Sequence, residues 1–166
     1  MPLRPLIRIP RGLPAWLGLV FAVAAAGGLA PGDAPVFYQQ LVLPPWAPPG
    51  WLFGPAWGVL YPMLGVAAWL VWRERGWGGA PLALGLFLAQ LAANLAWTFL
   101  FFSLRLGGVA FAEVLLMWAL LLATTIAFWR VRPLAGALLL PTLAWVAFAA
   151  ALNHAAWRLN PTLLGG

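Results

Sequence analysis

Three tryptophans inside hydrophobic segments are the residues of this chain best suited to bind a ligand. Trp57, Trp97 and Trp145 lie away from the segment ends, where a membrane tryptophan usually sits at the interface with water. A buried indole N–H needs a partner, so such a ring is most useful beside a cavity or another helix. Gln90 and Asn94 precede Trp97 at helical spacing, so one helix face would carry two amides and an aromatic ring.

Two other segments offer similar faces. Tyr61 follows Trp57 by one helical turn, and Ala149 follows Trp145 by one turn. If the three faces converge, they form an apolar aromatic pocket with a few amides to orient a flat hydrophobic ligand. Two other interpretations remain open at this point. The rings can form a packed core without a cavity, and the amides can serve only as hydrogen-bonded links between helices.

The segment that carries Trp97 also has a smooth face. Small residues recur there at the spacing that lets two helix backbones approach closely; they are Gly85, Ala89, Ala92 and Ala96. This face can pack within one chain or form the seam of a homodimer.

The composition indicates that the chain is surrounded by membrane lipid. The chain is 64% hydrophobic and 7% charged, with a mean hydropathy of +0.94, which is too few charges to cover the surface of a soluble domain. Cysteine is absent, and one histidine with three acidic residues is too few for a hydrolytic triad or a metal cluster. The net charge of +6 comes from arginines isolated at segment ends. That placement indicates membrane topology, and no nucleic-acid partner is expected.

Five apolar segments predict an all-α membrane protein, a bundle of five transmembrane helices in a single domain. The predicted helices cover residues 14–30, 53–72, 81–102, 108–129 and 134–157, and a Pro-rich loop over residues 31–52 is predicted to form a lid. Seven arginines fall on one side of this arrangement and two, Arg105 and Arg158, on the other. The bias predicts a cytoplasmic N-terminus and a C-terminus outside.

Long motifs in this frame give the chain a family resemblance. They occupy residues 45–51, 54–61, 90–97, 141–148 and 157–160. In these motifs the chain resembles the TspO/translocator protein family, also called tryptophan-rich sensory proteins or peripheral-type benzodiazepine receptors. The resemblance extends from about residue 37 to residue 161.

The resemblance implies a five-helix homodimer that binds porphyrins, such as protoporphyrin IX or haem, and other flat hydrophobic molecules, with no obligatory cofactor. The family's ligand-contacting positions match Trp46, Trp57, Gln90, Asn94, Trp97, Trp145 and Ala149, to which the helical pattern adds Tyr61. The expected function is therefore a receptor or sensor in a bacterial inner membrane. The alternatives are a porphyrin or sterol transporter and a light-dependent porphyrin-degrading enzyme.

Two features of the resemblance bear on these alternatives. In porphyrin-degrading members the implicated tryptophans match Trp57 and Trp145. In animal members a sterol motif at the end of the fifth helix has a central tyrosine, where this chain has His154. Sterol recognition is therefore not expected to follow the animal pattern.

Overall fold

The computed structural model of the chain describes residues 12–29 and 32–165. These residues form six α-helices, named α1 to α6 in chain order: Leu13–Leu29, Ala34–Gln40, Phe53–Gly79, Pro81–Thr98, Gly107–Val131 and Pro133–Leu159. A 3-10 turn, Gly50–Leu52, precedes α3, and a π-helical turn, Phe99–Ser103, follows α4. Arg4, Arg8 and Arg11 of the predicted charge pattern lie outside the described residues.

The four longest helices are suited to cross a membrane. Gly50–Gly79, Pro81–Ser103, Gly107–Val131 and Pro133–Leu159 are each long and apolar enough to cross a bilayer. The helices α1 and α2, bent by 55° relative to each other, add a fifth crossing if the pair is counted as one span. The predicted five helices are thus six in the described residues, because the connection after α1 folds a short helix of its own.

Short connections make the later helices antiparallel neighbours. Ala80 alone separates α3 from α4, and Arg132 alone separates α5 from α6. Pro81 and Pro133 open the following helices, where the missing proline N–H costs no hydrogen bond. The α3 helix runs past its predicted end, because its polar last residues can leave the bilayer, and it is broken only at Gly76, which has a φ of 61°.

Helix packing forms two hydrophobic clusters. The larger one joins α1, α3, α4, α5 and α6 around Leu64, Phe87, Phe128 and Leu139. The smaller one lies at the end of the bundle where α2 and the π-helical turn meet α6, and it contains Phe37. The cavity described below lies beside the second cluster.

The described part of the connection between α1 and α3, residues 32–52, is fixed to that end of the bundle. Arg105 donates a hydrogen bond of 2.8 Å to Asp33. The side-chain amide of Asn160 pairs with both backbone polar groups of Val42: Val42 N donates to Oδ1 and Nδ2 donates to the Val42 carbonyl, each at 2.8 Å. These contacts bring the predicted loop against the rest of the chain, with α2 in its first half.

Candidate ligand-binding cavity

A cavity of about 520 Å³ lies between α1, α2, α3, α4 and α6. Its volume falls within the range of small-molecule pockets, about 300–1,000 Å³. Six of the eight predicted ligand residues line it, and they come from three helices: Trp57, Tyr61, Asn94, Trp97, Trp145 and Ala149. The convergence of the three faces, left open by the sequence, therefore occurs in the fold.

Eight aromatic residues line the cavity. The Trp57 and Tyr61 ring centroids on α3 are 5.2 Å apart. Phe53, at the start of the same helix, meets Trp145 of α6 edge-on at 5.9 Å. Trp97 of α4 meets Phe102 of the π-helical turn edge-on at 6.0 Å. These faces are suited to a flat apolar molecule, because aromatic rings attract one another in offset and edge-to-face arrangements.

Several polar groups of the wall are bonded within the protein. The Tyr61 hydroxyl donates a buried 2.8 Å hydrogen bond to Asn94 Oδ1. The indole Nε1 of Trp97 donates at 2.9 Å to Asn153 Oδ1, whose amide nitrogen donates at 3.0 Å to the carbonyl of Gly107. Thus Asn94 is both an interhelical link and a cavity residue, whereas Asn153 supports Trp97 from behind.

Two of the predicted ligand residues do not line the cavity. Gln90 is 1% exposed, and its Nε2 has no hydrogen-bond partner among the described residues. It lies one turn before Asn94, at a height of the bundle that the cavity does not reach. Trp46 is 50% exposed. Its ring centroid lies 5.8 Å from that of Phe148, which in turn lies 5.6 Å from the Trp145 ring of the cavity wall.

Comparison with known proteins assigns the family. The sequence profile of the TspO/MBR family matches residues 16–158. The chain belongs to the TspO/MBR family. It is 44% identical to the translocator protein of Homo sapiens over 137 residues, which is 81% of each chain. It is 39% identical to the tryptophan-rich protein TspO of Chlorobaculum tepidum over 148 residues, covering 87% of this chain and 93% of the relative.

A third relative has a sensory name. The tryptophan-rich sensory protein of Cereibacter sphaeroides is 40% identical over 139 residues, covering 84% of this chain and 85% of its own. Membership of the TspO/MBR family and the long apolar helices together make this an integral membrane protein.

The α1 wall of this TspO/MBR cavity was missed by sequence reasoning. Phe21, Ala24, Gly27 and Gly28 line the cavity from α1, and Tyr38 lines it from α2. The α1 segment is apolar on all sides, so its sequence does not single out one face. Tyr38 lies in the stretch that was predicted as a loop, and its hydroxyl donates at 2.9 Å to the Pro48 carbonyl, a contact that no sequence pattern indicates.

The remaining singled-out residues lie away from the cavity. The four small residues of α4, Gly85, Ala89, Ala92 and Ala96, are exposed along the surface of the single chain, so the homodimer seam stays a prediction. His154 is exposed, with its ring 5.0 Å from that of Phe111. No group of three or more histidine, cysteine or acidic side chains able to hold a metal occurs among the described residues.

Proposed function

We propose that this TspO/MBR protein is a membrane receptor or sensor that binds a porphyrin, such as protoporphyrin IX or haem, in the cavity between α1, α3, α4 and α6. The observation that carries the proposal is the convergence of Trp57, Trp97 and Trp145 on one apolar space of about 520 Å³. A flat ligand in this space can face several aromatic rings at once. Asn94 is the amide best placed to orient a polar edge.

Titration of tryptophan fluorescence by protoporphyrin IX tests this assignment. Trp57→Phe and Trp145→Phe should each weaken binding about tenfold or more, because each replaces a large indole in the wall with a smaller phenyl ring. Trp129→Phe is the matched control, since Trp129 is half exposed and outside the cavity. Equal affinities in all three variants would remove the cavity from the proposal.

A light-dependent porphyrin-degrading enzyme is the second candidate. It is favoured by the presence of both Trp57 and Trp145 in the cavity wall. Purified protein with protoporphyrin IX should be followed by absorbance in light and in darkness. A stable shifted spectrum supports a receptor, whereas light-dependent loss that disappears in Trp57→Phe or Trp145→Phe supports the enzyme. Protein-dependent movement of porphyrin across proteoliposome membranes supports a transporter.

The assembly is proposed to be a homodimer joined along α4. The four small residues there form an exposed strip without large side chains, which permits close approach of a second helix. Ala89→Cys should crosslink between two copies in membranes, and Leu116→Cys, on an exposed part of α5, is the control. An Ala89→Cys protein that remains monomeric under oxidation contradicts this seam.

The proposed location is a bacterial inner membrane, with the N-terminus in the cytoplasm and the C-terminus outside. Arg132 and Glu74 approach to 3.6 Å, so the end of α3 and the α5–α6 turn share the Arg-rich end of the bundle. Arg105 lies at the opposite end with Asp33. Reporter fusions at the two termini test the orientation, and activity of a periplasmic reporter at the N-terminus contradicts it.

A further inference from the structure

The contact between α1 and α3 is tight at one height of the bundle. Gly65 of α3 is buried, and a Cβ atom there would lie 2.9 Å from Leu17 Cδ2 and 3.0 Å from Val20 Cγ2 of α1. Real Cβ atoms essentially never come closer than such distances. A larger residue at position 65 would therefore force the Leu17 or Val20 side chain of α1 to shift.

The same face of α3 becomes open nearer the start of the helix. Gly58 and Gly54 precede Gly65 by seven and eleven residues, which places each of them within about 20° of Gly65 around the helix axis. A Cβ atom at Gly58 or Gly54 would meet no heavy atom of the described residues within 4 Å. Gly28, near the facing end of α1, has the same free space. The two helices thus diverge from their tight contact at Gly65 and leave a slot between them, lined by Gly28, Gly54 and Gly58.

The slot is continuous with the cavity. Gly28, Gly54 and Gly58 all line the cavity and are all exposed at the surface of the bundle. Phe21, another cavity residue on α1, is 47% exposed. None of these four residues carries a polar side chain, and α3 belongs to a stretch long and apolar enough to cross a membrane. The slot accordingly faces hydrocarbon.

The end of the cavity beneath the α1–α3 connection is fastened by polar contacts. Arg105 is bonded to Asp33, and its guanidinium lies 4.5 Å from the centre of the Phe37 ring. The two hydrogen bonds between Asn160 and Val42 hold the same connection farther along. Opening this end of the cavity requires several polar contacts to break. Passage of a ligand between the glycines of the slot requires no hydrogen bond between them to break.

We propose that the slot between α1 and α3 is a lateral portal, through which a flat hydrophobic ligand dissolved in the bilayer enters and leaves the cavity. The proposal rests on the proposed porphyrin-binding function and adds its route. Protoporphyrin is the probe used here for a ligand of this class. An apolar molecule that partitions into hydrocarbon would reach the aromatic wall without crossing the fastened connection.

The experiment compares two covalent bridges in a chain that has no native cysteine. One variant, Gly28→Cys with Gly54→Cys, is joined across the slot by a flexible, reducible thiol-reactive bridge. The other, Asp33→Cys with Arg105→Cys, is joined by the same bridge across the connection. Each protein is reconstituted in vesicles, its bridge is verified by mass, and stopped-flow tryptophan quenching follows protoporphyrin IX delivered from other vesicles.

The bridge across the slot should slow association and release by about tenfold or more. It blocks the route of the ligand into the cavity and leaves the ligand's contacts inside the cavity intact. Reduction of the bridge should restore both rates, and the connection bridge should change neither by more than about twofold. Slow exchange with the connection bridge and normal exchange with the slot bridge would overturn the portal. So would a slot bridge that lowers affinity without slowing association. Absence of quenching in the native chain would instead contradict porphyrin binding itself.

Discussion

Replacing Asn153 with leucine should make the Trp97 ring of the cavity wall less firmly held, without removing a side chain that lines the cavity. Asn153 is buried on α6 and does not line the cavity. Its Oδ1 accepts the indole N–H of Trp97 at 2.9 Å, and its Nδ2 donates to the Gly107 carbonyl at 3.0 Å. One side chain therefore joins α6 to α4 and to the first residue of α5. Leucine keeps the same branching at Cγ and removes both hydrogen bonds.

The expected loss of unfolding free energy follows from those two bonds. A hydrogen bond between membrane helices contributes about 0.6 kcal/mol on average and about 1.7 kcal/mol at most. Two such bonds therefore give a loss of about 1–3 kcal/mol, toward the upper end because leucine leaves the indole N–H of Trp97 without its acceptor. Porphyrin affinity should fall by about three- to tenfold, since Trp97 loses the bond that fixes its ring.

A double-mutant cycle separates the Trp97 bond from the Gly107 bond. Unfolding of the native chain, Asn153→Leu, Trp97→Phe and the double variant is followed by denaturing-detergent titration in mixed micelles. The two substitutions should be non-additive by about 0.5–1.5 kcal/mol, because both remove the same hydrogen bond. Full additivity, or an Asn153→Leu protein as stable as the native chain, would refute the argument that this amide supports the cavity wall.

Three further substitutions test other contacts. Tyr61→Phe should lower the unfolding free energy by about 1 kcal/mol, because Asn94 loses its buried donor, while porphyrin affinity stays within about twofold; a tenfold loss would assign the hydroxyl to the ligand. Asn160→Leu should accelerate hydrogen exchange at the Val42 amide, which it leaves without its side-chain acceptor, and unchanged exchange contradicts the fastening. Gly65→Leu should destabilise the bundle by about 1–3 kcal/mol through overcrowding, whereas equal stability in the same detergent titration would mean that the helices separate freely.

Much of the fold was predictable because hydropathy and proline placement act locally. The predicted helix 108–129 is observed as Gly107–Val131, and the predicted 134–157 as Pro133–Leu159. The observed ends lie a few residues outside the predicted ones because a helix can continue beyond the hydrocarbon. The segment predicted as 81–102 instead changes to a π-helical turn after Thr98. A widened turn depends on packing between helices, which residue spacing alone does not reveal.

The helix face on which a side chain lies was easier to predict than whether that side chain lies at the height of the cavity. Gln90 and Asn94 lie on one face, as their spacing indicates, yet only Asn94 reaches the cavity. Where a cavity stops along a helix depends on neighbouring helices, and no local pattern encodes that height. Trp16 is a similar case: it lies near the start of α1, where a tryptophan usually sits at the membrane interface, but it is buried against Phe87 at 5.8 Å. A tryptophan's height in the membrane therefore does not determine whether it faces lipid or protein.

The hydrogen bonds behind the aromatic wall favour an apolar ligand. A cavity whose polar atoms lacked partners would require a ligand to supply them, since a buried unpaired group costs about 1–3 kcal/mol. Here the Tyr61 hydroxyl and the Trp97 indole N–H are already bonded to Asn94 and Asn153. An apolar ring system can therefore occupy the space without leaving these groups unsatisfied. Asn94 and Asn153 thus favour a flat hydrophobic ligand chiefly by bonding these polar groups of the aromatic wall.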